Sequence, residues 1–237
     1  MATTIPASQP DGLQIGEAFR FVFRSKAWAG KMLLYDLFVL LSVVLIGAFF
    51  LYGYLVEISR RVRRGDRELP PWDDLGKKFV DGLLLIIVFL VWAIPLLILS
   101  GLSGPTASCT TTESASATCT PNGFLVTLVV LLGILLYVLL PGIWAQFLEG
   151  GLRAALNVPA VFRRVAFKPG LTVLVIVMLF ILWGILAFAG LIAIVIGVLF
   201  TYPYGFFIGG HLLGQYARIT DVTAPGRMAV NPGEHLE

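Results

Sequence analysis

Few side chains in this sequence could do chemistry, and several of them interrupt or border its most apolar tracts. The stretch Gly65-Asp66-Arg67-Glu68-Leu69-Pro70-Pro71-Trp72-Asp73-Asp74-Leu75 holds two adjacent carboxylates, Asp73 and Asp74. Paired carboxylates invite a metal or acid–base reading, yet neighbours at a helix start point in different directions. The plainer role is to cap or charge the first turn of a helix whose apolar face includes Leu75, Phe79 and Leu83. Pro70-Pro71 keeps the approach extended, and Trp72 suits a membrane interface. Asp36 interrupts an apolar tract. It must sit near the interface, meet a base such as Lys31, or face a polar interior, and an ion or substrate pathway is the sharper alternative. His211 follows Gly209-Gly210; it could bind an ion or relay a proton, but with no second histidine or cysteine nearby in sequence a hydrogen-bonded structural role is favoured. The candidate functional residues are therefore Asp36, Trp72, Asp73, Asp74 and His211. No catalytic, cofactor-binding or metal-binding set is expected, and no cofactor.

Cys109 and Cys119 are the only cysteines, ten positions apart in the Ser- and Thr-rich stretch 102–123. On the oxidising side of a membrane this spacing predicts a disulfide that clips the loop. Two thiols without a nearby histidine make a poor metal site, and the spacing lacks the two-residue gap of exchange motifs. Free thiols are the alternative if the topology is inverted.

The elements that must position these residues follow from composition. The chain has 237 residues, 58% hydrophobic and 13% charged, with a mean hydropathy of +0.90. A soluble globule carries roughly a quarter charged residues, so an ordinary cytosolic enzyme is excluded and an integral membrane protein is indicated. Apolar tracts at 32–56, 83–101, 124–148, 171–189 and 191–213 predict about five spans. No charged residue occurs between Lys168 and Arg218. One helix over that interval would reach about 74 Å, more than twice the hydrocarbon thickness, so the chain must turn back, with Ala189-Gly190 as the natural bend. Pro95, Pro141 and Pro203 are expected kink points. The segment 15–30, with Phe19, Phe21, Phe23 and Trp28 among Arg20, Arg24 and Lys26, reads as an amphipathic interfacial helix. A second such element is expected at 160–167, after a break at Val158-Pro159. The fold class is thus all-α, a polytopic transmembrane helical bundle with N-terminal and cytoplasmic-loop amphipathic interfacial helices. Its domain plan is a disordered tail over 1–14, a single transmembrane domain over 15–218 and a cytoplasmic tail over 219–237. The first 30 residues lack the order of a signal peptide, so no removal is expected.

Basic residues set the orientation. Residues 58–82 contain Arg60, Arg61, Arg63, Arg64, Arg67, Lys77 and Lys78, residues 149–169 contain Arg153, Arg163, Arg164 and Lys168, and residues 102–123 contain none. The first two loops and the C-terminus are placed in the cytoplasm and the third outside. One conflict results. Five spans put the N-terminus outside, whereas Arg20, Arg24, Lys26 and Lys31 argue for inside. Either the later loops overrule the local charges, or residues 32–56 bend at Gly47 and re-enter without crossing, which requires burial within protein. Glu57 near Arg60 and Arg61, and Glu149 near Arg153, read as local ion pairs at helix ends.

Gly53-Tyr54-Leu55 followed by Arg60 and Arg64, then Leu69-Pro70, Trp72-Asp73-Asp74, Phe79 and Asp81-Gly82-Leu83, resembles the prokaryotic membrane proteins grouped as the domain of unknown function 4013 family. Similarity extends more loosely from about Ala18 to Arg218 and includes Phe162-Arg163-Arg164 and Pro169-Gly170. Leu75 stands where such proteins often carry another aromatic, and the cysteine loop is particular to this chain. The resemblance implies a polytopic domain in a prokaryotic cell membrane. It implies no reaction, substrate or catalytic residue.

Two functions from different classes fit. Glycine-lined helices, short loops and the lack of a soluble catalytic domain favour a structural or accessory, non-enzymatic membrane protein that self-associates or packs into a larger membrane complex. Prolines in helices together with Asp36 and His211 suggest instead a small-solute or ion transporter or channel. Membrane lipids are expected partners, and nucleic acid is not.

Overall fold

The computed structural model describes residues 12–25, 27–42, 46–66, 68–103, 108–111, 117–120, 122–192 and 194–221. The elements are α1 (Ile15–Arg24), α2 (Trp28–Leu41), α3 (Ile46–Arg64), α4 (Leu75–Ser103), β1 (Ser108–Thr111), β2 (Ala117–Thr120), α5 (Gly123–Ala155), α6 (Val158–Phe167), α7 (Pro169–Ile192) and α8 (Ile194–Ile219). The result is an all-α polytopic membrane bundle with a small ribbon between α4 and α5. Most of residues 1–14 and 219–237, the two expected tails, lie outside the described residues, but Gln14, Thr220 and Asp221 are built into the bundle.

Among the described residues three helical stretches are long and apolar enough to cross a membrane: α4, α5 and Pro169–Leu186 of α7. Their outward faces carry Leu97, Ile98, Leu131, Ile134, Phe180 and Ile185, all exposed. In water such a surface would aggregate; in lipid it is the ordinary exterior of a spanning helix.

The first long tract departs from a single tilted helix. It divides into α2, about 21 Å long, and α3, about 28 Å long, at 1.5 Å per residue. The charged side chains Glu57, Arg60, Arg61, Arg63 and Arg64 occupy the last turns of α3. The two helices fold back on each other. Gly47 lies against the main chain of Phe38, Leu41 and Ser42, and Phe38 stacks on Phe50 with ring centroids 4.9 Å apart.

Helix α3 is the centre of the bundle, covered by α2, α4 and α8. It lies alongside α8 in matched order, with Tyr54 near Phe207, Ile58 near Gly210, and Ser59 and Val62 against Gly214. Against α4 the approach is closer still. A Cβ at Gly53 would collide with the Lys78 main chain, and one at Gly82 with the Phe49 carbonyl. Two glycines on facing surfaces let the backbones touch, which matters where lipid supplies no hydrophobic force between helices.

The remaining boundaries have local causes. Asn122 caps α5 by accepting from the Phe124 and Leu125 amides at 3.0 and 3.4 Å. Asn157 caps α6 through the Ala160 amide at 3.2 Å. Pro159 does not break α6 as expected but falls in its first turn, where a missing N–H costs nothing. The interruption of α5 lies at Gly150 and Gly151, the latter at φ 63°, while Pro141 remains within the helix. The α7–α8 turn falls after Ile192, slightly beyond Ala189-Gly190.

In the loop between α4 and α5 the expected Cys109–Cys119 disulfide is corrected: no disulfide bond is present among the described residues. Strands β1 and β2 pair antiparallel with Cys109 opposite Cys119. The main-chain ladder thus closes the loop, which the spacing had assigned to a sulfur bridge.

Gly53→Ala and Gly82→Ala are each expected to force α3 and α4 apart. Thermal unfolding in detergent should show a loss of about 1–3 kcal/mol or more, the usual range for overpacking, whereas Gly101→Ala, at an open position on the same helix as Gly82, should be nearly neutral.

Candidate functional site

Polar side chains from six helices gather at one end of the bundle. Arg164 of α6 is buried. Its guanidinium grips Glu149 of α5 in a two-pronged contact, Nη1 to Oε2 and Nη2 to Oε1, both at 2.5 Å. Its remaining donors reach the Thr220 hydroxyl at 3.0 Å and the Ala217 carbonyl at 2.9 Å. Glu149 also receives Arg63 of α3 at 3.2 Å, and Arg63 bridges onward to Asp221 at 2.7 Å. Paired planar groups of this kind offset the cost of burying charge through short, charge-assisted hydrogen bonds.

A second ionic group joins α3 to α4. Buried Lys78 pairs with Glu57 at 2.7 Å, with the Asp73 carboxylate at 3.3 Å and with the Asp73 carbonyl. Arg61 reaches Glu57 at 3.4 Å, and Arg60 reaches Asp81 at 2.5 Å. The local pair Glu57–Arg61 was expected. Glu149–Arg153 and Glu57–Arg60 give way to partners distant in sequence.

The Pro-Trp-Asp-Asp segment lies across the side of the α2–α3 pair. Trp72 stacks on Tyr54 at 4.1 Å and 5° and on Phe38 at 4.9 Å and 18°, while its indole N–H donates to the Lys31 carbonyl at 3.3 Å. The Tyr54 hydroxyl donates to the Pro70 carbonyl at 2.9 Å. Lys31 donates to the Leu69 carbonyl at 2.6 Å and to the Ser25 hydroxyl at 2.8 Å. Partial burial lowers the Lys31 pKa, against an opposing pull from Glu68 and with a smaller push from Arg61. Five of these contacts hold one connector in place.

The candidate residues separate in space. Trp72 and Asp73 belong to this end cluster, whereas Asp74 sits before α4 in a left-handed conformation at φ 44°, which aspartate tolerates better than most residues. Asp36 is buried on α2, and Lys31, its expected partner, is directed to Leu69 and Ser25. His211 is buried and contacts the Phe21 ring at 4.6 Å. Its Nδ1 lies 3.0 Å from the Gln215 amide nitrogen. The same amide donates to the Gln14 carbonyl at 3.2 Å, while its oxygen accepts the Gln14 N–H at 2.7 Å. Gln215 thereby uses both N–H groups and its oxygen, and Nδ1 accepts, which is the pattern of a neutral imidazole protonated at Nε2. Among the described residues no three His, Cys, Asp or Glu side chains converge as metal ligands. The side chains of Cys109 and Cys119 lie outside the described residues.

Sequence reading missed Arg164, Arg63, Asp221 and Thr220 as one unit. Only the Arg-Arg pair at 163–164 hinted at it, since one of the two must face inward on a ten-residue helix.

Between α3, α4, α5, α7 and α8 lies an apolar cavity of about 330 Å³ lined by residues including Tyr52, Phe89, Tyr137, Trp144 and Trp183. Trp144 closes it towards the ionic end, donating to the Ser59 hydroxyl at 3.1 Å, which in turn donates to the Gly210 carbonyl at 2.8 Å.

The family described as protein of unknown function (DUF4013) matches residues 37–200, more than half of the chain. The chain belongs to the DUF4013 family. The match takes in the end of α2, all of α3, the Trp72 segment and the Arg164–Glu149 contact, and stops short of Gln14, Gln215, Thr220 and Asp221, which complete the end cluster in this DUF4013 protein. No curated protein and no solved structure matches it.

Arg164→Met should break the buried pair and cost about 3–5 kcal/mol, with Arg164→Lys losing less because charge survives without the planar fork. Exposed Arg163→Met should stay within about 0.5 kcal/mol. Unfolding midpoints of the three variants in one detergent would check this order.

Proposed function

We propose that this DUF4013 protein is a structural or accessory integral membrane protein, without catalytic activity of its own, that packs into an oligomer or a larger membrane complex. The observation that carries this reading is the commitment of its buried basic groups to internal partners. Arg164 and Lys78, the buried basic groups among the described residues, are taken up by Glu149, Glu57, Asp73, Thr220 and Ala217. Side chains so engaged brace helices against one another.

The topology that fits this role has four crossings, α4, α5, α7 and α8, with α2 and α3 as a hairpin that enters and leaves on one side. Gln14 bonds to Gln215 and Arg63 to Asp221, so the residues just before α1, the end of α3 and the residues just after α8 share one end of the bundle, which an even number of crossings between them satisfies. The basic loops put that end in the cytoplasm. α1 and α6 then lie at the interface, where Phe19, Phe23, Phe162 and Phe167 are exposed beside Arg20, Arg24 and Arg163, suited to anionic headgroups.

A transporter or channel is the second reading. It is favoured by the interrupted α2–α3 tract beside the 330 Å³ cavity, since broken helices often frame solute sites.

Crosslinking in intact membranes should capture a homo-oligomer or a constant partner; a strictly solitary chain would count against the first reading. Proteoliposomes carrying the protein should move no ion or solute faster than empty ones, and a reproducible flux abolished by filling the cavity would favour the second.

A further inference from the structure

Three tyrosines are fully buried, Tyr35, Tyr54 and Tyr216. Two have hydroxyl partners within the protein: Tyr54 donates to the Pro70 carbonyl, and Tyr216 shares a hydrogen bond with Thr172 at 3.0 Å. The Tyr35 hydroxyl has none among the described residues. Buried hydroxyls rarely go without a partner, because desolvation without a compensating hydrogen bond is costly.

Tyr35 also borders a cavity. A space of about 180 Å³ lies where α2 and α3 fold back against α8, walled by residues including Tyr35, Ser42, Ala48, Tyr52, Tyr202 and Phe206. Four of these side chains end in hydroxyls. Ser42 donates its proton to the Val39 carbonyl at 2.5 Å, so its oxygen is left to accept. Among the described residues no charged side chain lines the space, which disfavours an ionic guest, and an acyl chain would leave the Tyr35 hydroxyl unpaired. A single water needs only about 10–15 Å³ of such space and two to four polar partners.

We propose that this cavity is a hydration site, in which water bridges the hydroxyls of Tyr35, Tyr52, Tyr202 and Ser42 at the break between α2 and α3. Its water satisfies Tyr35 and gives the inserted hairpin a polar interior within an otherwise apolar wall. Waters of this kind serve in place of direct protein contacts, with little loss in hydrogen-bond enthalpy.

Radiolytic footprinting tests the site, because a synchrotron X-ray pulse makes hydroxyl radicals from water where that water sits. The full chain would be exposed in phospholipid nanodiscs prepared in ¹⁸O-water, with modification followed by mass spectrometry. Tyr35 should be labelled several-fold faster than Tyr54 and Tyr216, which are equally buried but paired within the protein. Equal, slow labelling of all three would overturn the proposal. Ala48→Met, which fills the space with an apolar side chain, should bring Tyr35 down to the rate of the other two without changing theirs. Fast labelling of Tyr35 that survives this substitution would show that the radicals came from transient opening and would also overturn it.

Discussion

The Glu149 carboxylate is the point on which the bundle turns. Two guanidiniums, Arg63 from α3 and Arg164 from α6, converge on it, and the same two arginines hold the end of α8 through Asp221, Thr220 and Ala217. Burying these charges is worthwhile only if each is matched, and matching them fixes four helices at a common level. The ends of α3, α5 and α8 therefore face the same way, and the chain before α1 joins them through Gln14 and Gln215.

This constraint bears on the first apolar tract. With α3 held at its charged end by Glu149, and α2 held at its beginning by Leu69 and Trp72, the two helices have their open ends together and their break at the opposite end. Gly53 and Gly82 let α4 close against α3, and α8 covers another side, so α3 is enclosed by protein while α2 turns Leu33, Leu37 and Leu40 outward. A helical hairpin can face lipid in this way because its backbone hydrogen bonds are internal. The proposed accessory role and the proposed hydrated cavity both depend on the hairpin: one treats it as a brace, the other gives its break a polar lining.

Much of the architecture was legible in the sequence. The uninterrupted apolar stretches of α4, α5 and α7 announce themselves by length, and the need for a turn before α8 follows from helix rise alone. Hydropathy could not decide whether residues 32–56 formed one helix or two, because a tight fold-back at Gly47 leaves the mean composition unchanged. The motif Leu69-Pro70-Pro71-Trp72-Asp73-Asp74 stood out, but its purpose did not. Its carboxylates suggested chemistry, whereas Trp72 is sandwiched between aromatics and Asp73 answers a buried lysine. Local spacing also misled for Glu149, since Arg153 lies one turn away while the actual partners are 15 residues ahead and on another helix. Long-range ionic contacts leave no periodic trace. The disulfide expectation rested on spacing, which shows that two cysteines can meet but not that they bond; the strand ladder sets Cys109 opposite Cys119 and joins the two arms of the loop through the main chain.

The measurement that tests the account most directly is the sidedness of residue 12 relative to residue 163. In a background without cysteines, Gly12→Cys and Arg163→Cys would each be exposed to a membrane-impermeant maleimide in sealed cells, with Phe124→Cys at the start of α5 as the outward reference. The account predicts that Phe124→Cys reacts at once, while the other two react only after the membrane is opened. Labelling of Gly12→Cys from outside, with Arg163→Cys still protected, would mean an odd number of crossings between them and would contradict it.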